Sequence, residues 1–153
     1  MPKLFRVPKK QGEWAELKFM VRASEFGLSV SKPWGDCAPY DLIVSGRDGR
    51  LQRVQVRSTS HYNGGYRCGY TRARSSGSPT FTAREIDFLA VYVIPMDTWY
   101  VVPQPVVGAT KVVIFYPHIP HSRGRLESYR EAWHLLTHSK DIPPPAQLKK
   151  NRR

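Results

Sequence analysis

The stretch "RVQVRSTS", Arg53 to Ser60, alternates apolar and polar side chains with a period of two, which is the period of a β-strand and not of a helix. Val54, Val56 and Ser58 share one face, while Arg53, Gln55, Arg57 and Thr59 share the other. The valine face explains itself as core. The polar face sets an amide beside a guanidinium, and that pairing asks for a reason. Upstream, Tyr40 to Ser45 reads as a partner strand and Arg47 to Gly49 as a turn. Leu51 to Thr59 then returns as the second arm of a β-hairpin.

The rest of the chain supplies elements to surround that hairpin. "EWAELKFMVRASEF", Glu13 to Phe26, predicts a helix ended by Gly27. Trp14, Leu17 and Val21 form one stripe on it, and Ala15, Phe19, Ala23 and Phe26 a second, which predicts packing on more than one side. "VSKPWGDCAP" reads as a loop, and the Gly/Ser/Arg/Tyr-rich stretch from Ser60 to Thr80 as a longer one outside the core. After a helical turn near Ala83 to Asp87, "FLAVYVI" is a buried strand that "PMDT" turns into "WYVVP". Lys111 to Tyr116 gives one more strand. "LESYREAWHLLTH" predicts an amphipathic helix carrying Tyr129, Trp133 and Leu136. Helix, several strands, helix is the order of an α/β (α+β) domain with one mixed sheet. The expected organisation is a single domain over 1–140, followed by a basic, Pro-rich tail over 141–153.

Charge narrows the class of partner. Lys and Arg number 24 against 12 acidic residues, a net charge of +12, and such a field attracts polyanions, nucleic acid foremost. No apolar run approaches a membrane span, and "MPKLFRVPKKQGEW" lacks the apolar run of a signal peptide, which predicts a cytoplasmic protein with no membrane partner. Cys37 and Cys68 stand in unlike contexts with His61 alone between them, a poor match to a disulfide or a zinc site. Pro120 keeps His118 and His121 off any regular helix, so they read as surface histidines of a loop. Between His61 and Pro79, Tyr62, Tyr66 and Tyr70 interleave with Arg67, Arg72 and Arg74. Arginines suit phosphates and guanine edges, and tyrosines suit sugars and unpaired bases. Tyr66, Arg67, Tyr70, Arg72 and Arg74 are therefore the expected DNA contacts, on a segment expected to be removable without unfolding the domain. Lys149, Lys150, Arg152 and Arg153 offer further phosphate contacts from the tail.

The partners of Gln55 and Arg57 are acidic. The hairpin brings Asp41 near Gln55, and a helix laid on the sheet adds Glu16, whose carboxylate shares a face with Met20 and Ala23 near the core boundary. Buried carboxylates are costly unless paired or bound to metal. Carboxylates beside one cation are what phosphodiester hydrolysis needs, with a metal to activate water and a fixed charge for the phosphate. In sequence order, "GEWAE", a Gly-containing loop, "PYD" and "QVR" resemble the PD-(D/E)XK nuclease superfamily. The nearest likeness within it is to group I intron-encoded homing endonucleases, where a Gln replaces the acid to give Q-x-K. "REIDFLAVYVIPMDTWYVVP" is similar to that branch's next strand pair, so the resemblance spans about residues 12–105.

The resemblance implies a restriction-endonuclease-like core, a central mixed β-sheet flanked by helices. It implies Mg²⁺ as cofactor, with Mn²⁺ able to substitute, and double-stranded DNA as substrate. Asp41 takes the place of the central metal ligand, Glu16 a second ligand, Gln55 a weaker neutral one, and Val56 contributes its backbone carbonyl. Cutting two strands needs two sites, hence a homo-oligomer, a dimer or tetramer. Arg57 stands where the family has a catalytic Lys, and this is a departure: Arg keeps the charge but gives up no proton at working pH. Lys18 and Lys32 are candidates to replace it. The departure also opens a second reading, a catalytically impaired nuclease-fold module that binds DNA or RNA.

Overall fold

The computed structural model describes residues 5–72 and 80–138. Its long helix α1 spans Pro8–Glu25, starting five residues before the expected Glu13 because Pro8 fits the first turn, where its missing N–H has no partner to lose. Gly27, at φ 75°, follows its end. Ala15, Phe19 and Ala23 are buried, but Leu17 and Val21 remain 57% and 61% exposed. The stripe of Trp14, Leu17 and Val21 is thus largely uncovered, contrary to expectation.

Strands β1 (Ser29–Ser31), β2 (Leu42–Ser45), β3 (Leu51–Thr59), β5 (Phe88–Val93) and β6 (Thr98–Pro103) form one sheet in the order β1-β2-β3-β5-β6. The β3–β5 pair is parallel and the other pairs are antiparallel, so the sheet is mixed as expected. The hairpin is present with its predicted return strand, and Gly49 turns it at φ 71°. Being central, β3 is covered on both faces. Val54 and Val56 pack with Phe19, Phe88, Trp99 and Trp133 beneath α1. On the opposite side a second core holds Cys68, Tyr70, Phe81, Leu89, Val91, Tyr100 and Phe115.

That second core overturns one expectation. The stretch taken as a loop contains strand β4 (Tyr66–Gly69), which pairs antiparallel with β7 (Val112–Phe115) in a two-stranded sheet beyond the short helix α2 (Gln104–Val107). Cys68 and Tyr70 point inward, and Tyr70 is wholly buried. Deleting the Arg67 to Arg74 segment would therefore strip a strand and a core ring from the domain.

The predicted C-terminal helix is also corrected. A 3-10 turn at Glu127–Tyr129 gives way to Glu131 at φ 49°, and only His134–Thr137, α3, is helical. The break serves the sheet edge. Glu131 donates its N–H to the Trp99 carbonyl, and its Oε1 accepts from the Trp99 N–H, each at 2.8 Å. A continuous helix would leave that edge strand open. Among the described residues no helix is long and apolar enough to cross a membrane.

Candidate active site

β2 begins one residue after Asp41, while β3 runs on past that point toward Thr59. Beyond Val54, then, β3 has a backbone edge that β2 no longer covers. Asp41 fills the place. Its N–H bonds the Val54 carbonyl at 3.0 Å, and its Oδ2 accepts from the Val56 N–H at 2.8 Å and from the Gln55 Nε2 at 2.7 Å. Hairpin geometry thus locks the carboxylate and the amide together, on the strand whose alternation singled out Gln55.

Glu16 comes from α1 with its side chain only 17% exposed, and the Lys32 ammonium lies 2.5 Å from its Oε2. Lys32 follows directly on β1. Of the two lysines considered as substitutes for the motif cation, Lys32 is the one at the carboxylates. Lys18 is committed elsewhere, to the Tyr92 hydroxyl at 2.8 Å and Asp97 at 3.7 Å.

Arg57 borders the same cleft, but its guanidinium turns toward the second core. It donates to the Thr71 carbonyl at 3.2 Å and stands 5.9 Å from the centre of the Phe81 ring, with a buried Nε that has no partner. Arg72 shares the Phe81 ring at 5.7 Å and pairs with Glu85 at 2.6 Å. Arg53, on the same strand face, is held by Asp87 at 2.9 Å, a pairing no local pattern announced.

Glu16, Asp41, Gln55, Val56, Arg57 and Ser58 together line a cleft of about 1070 Å³. Burial pushes the Asp41 carboxyl up to about 6, and the neighbouring Glu16 adds to the rise. The Val56 N–H, the Arg57 charge and the Gln55 amide act the other way and do not win. No three His, Cys, Asp or Glu side chains gather as metal ligands among the described residues. The cleft brings together instead the Asp41 and Glu16 carboxylates, the Gln55 amide and the Val56 backbone. Carboxylate, amide and carbonyl oxygens are hard donors of the kind that suits Mg²⁺ or Mn²⁺, and of the two carboxylates Glu16 already has a cation beside it in Lys32.

The expected DNA contacts fare unevenly. Tyr66 packs edge-on with Tyr62 and His118 at 5.3 and 5.6 Å, and Arg67 stands on β4. Tyr70 is a correction: its ring is core, and its hydroxyl donates to the Phe81 carbonyl at 3.5 Å, so it offers nothing to DNA. Arg74 and the basic tail lie outside the described residues. Both cysteines are free thiols, Cys37 exposed and Cys68 buried, burial pushing the latter up to about 11.

A helix glutamate, an aspartate where a hairpin diverges and a central strand carrying Gln-Val-Arg, all on one mixed sheet flanked by helices, define a restriction-endonuclease-like nuclease fold. The chain belongs to the PD-(D/E)XK endonuclease family, whose model matches residues 7–136. Among solved structures it is similar to a bacterial homing endonuclease, I-Ssp6803I, at 30% identity and a TM-score of 0.73, covering 86% of this chain and 94% of that one. A search of curated proteins finds no match.

Proposed function

We propose that this chain is a divalent-metal-dependent endonuclease that hydrolyses phosphodiester bonds of double-stranded DNA, in the manner of a homing endonuclease, with Mg²⁺ or in its place Mn²⁺. The observation that carries the reading is Asp41, fixed by Val56 and Gln55 in a cleft it shares with Glu16. Two hydrogen bonds to one oxygen hold that carboxylate in a single orientation before any ligand arrives. Asp41 and Glu16 would hold the cation, with the Gln55 amide oxygen and the Val56 carbonyl completing the set. When bound, the metal supplies an activated water and neutralises charge on the phosphate. Lys32 and Arg57 contribute positive charge at the rim. Arg57 acts by charge alone, since a guanidinium does not release a proton here.

Cleavage of both strands calls for at least two copies, a dimer or tetramer. The exposed Leu17 and Val21 stripe of α1 supports self-association, because apolar side chains aligned on one helix face favour a partner over water. Two free thiols suit the reducing cytoplasm.

One observation favours a second reading. The Arg57 guanidinium is engaged by Thr71 and Phe81, which would suit a nuclease-fold module that binds DNA or RNA and cuts poorly. Nicking of supercoiled plasmid with Mg²⁺ or Mn²⁺ by wild type, Asp41→Ala and Arg57→Lys separates the two. On the endonuclease reading Asp41→Ala abolishes nicking while DNA binding stays or tightens, and Arg57→Lys retains or increases it. A wild type that binds but never nicks supports the module, and equal nicking by all three defeats the proposed site.

A further inference from the structure

Three of the four tryptophans are tied into the fold by ring contacts, Trp99 and Trp133 at 3% and 0% exposure and Trp14 against Tyr92. Trp34 is 102% exposed, and no ring or hydrogen-bond contact among the described residues touches it. It stands on the connector from β1 to β2, between Pro33, whose ring restricts the backbone, and Gly35 at φ 77°. Both ends of that connector are pinned in the carboxylate cleft: Lys32 by its ion pair with Glu16, and Asp41 by Gln55 and Val56.

We infer that Trp34 is a nucleic-acid contact that stacks on an unpaired or unstacked base beside the bond to be cut, an inference that rests on the endonuclease reading above. An indole held in water gains most from a flat, apolar partner, and every base presents a π-face. The net charge of +12 draws a polyanion to the protein as a whole. A second copy of the chain is the competing occupant, but the neighbours argue against it. Ser31, Lys32, Asp36 and Cys37 are all exposed, so the ring's neighbours along the connector are polar or small and do not extend it into the apolar patch a protein interface requires. One ring suffices for one base.

The test uses the full chain in EDTA, so that nothing is cut, and a fluorescent duplex carrying a central unpaired base. Trp34→Ala should weaken binding about 10-fold, with a smaller loss on the fully paired duplex, and Trp34→Phe should restore most of it. The slope of log affinity against log salt should stay as in wild type, because no phosphate contact is removed. Melting temperature and mass by light scattering should be unchanged, and quenching of indole fluorescence by DNA should shrink in Trp34→Ala. Equal affinity of wild type and Trp34→Ala overturns this inference and leaves the endonuclease reading standing. A change in mass with Trp34→Ala assigns the ring to a second copy and overturns it too. A wild type that binds no DNA removes both.

Discussion

At Asp41 burial and hydrogen bonding pull in opposite directions, and burial wins. The folded carboxyl sits at about 6 against an ordinary 3.8, so the native state holds this proton more tightly than the unfolded chain does. The stability it contributes is full below about 4 and is lost as pH rises through about 6, up to ~3 kcal/mol in all. Asp41→Asn copies the protonated form and escapes the loss. In metal-free urea titrations the variant should match wild type near pH 4 and exceed it by roughly 2 kcal/mol at pH 7. A gap that does not widen with pH would mean that burial is not the dominant influence on this group. Asp41 and Gln55 were legible in the sequence because one alternation and one hairpin are enough to join them. The direction of Arg57 was not: its partners, Thr71 and Phe81, arrive from segments whose path no local pattern fixes. Tyr70 misled through its arginine neighbours, although Cys68 and Tyr70, two apart, already carried the inward period of a strand.

Among elements, hairpin and paired strands were readable because turn residues and alternation are local signals. The C-terminal segment was not, since its amphipathic spacing suits a helix and only the edge of β6 explains why Glu131 breaks it. What remains of that helix is fitted tightly against the β2–β3 turn. A Cβ placed on Gly46 would come within 2.9 Å of the backbone carbonyl oxygens of Leu136 and Thr137. Backbone cannot swing aside as a side chain can, so α3 itself would have to shift. Gly46→Ala should cost about 1–3 kcal/mol, seen as a lower thermal midpoint. Gly46 lies at the far end of β2 from Asp41, so nicking per folded molecule should be unchanged. An unaltered midpoint would show that α3 does not bear on the turn.

For the whole molecule the governing quantity is charge. With +12 spread over 153 residues, association with DNA is driven largely by release of the counterions that its phosphates hold. Affinity should fall linearly on a log–log plot against salt, with a slope of about −0.9 for each phosphate contact. Composition alone made this legible, whereas the order within the basic stretch was not, because a strand and a core tyrosine lie within it. The informative change is consequently a point substitution and not a deletion. Arg67 stands on β4 opposite Ile114, and its neighbours Cys68 and Tyr70 supply that strand's buried face. Arg67→Ala should therefore leave folding stability within about 1 kcal/mol of wild type and make the salt slope shallower by about 1. A slope that does not change would take β4 off the DNA-facing surface, and a salt-independent affinity in the wild type would remove phosphate contact from the description of this protein.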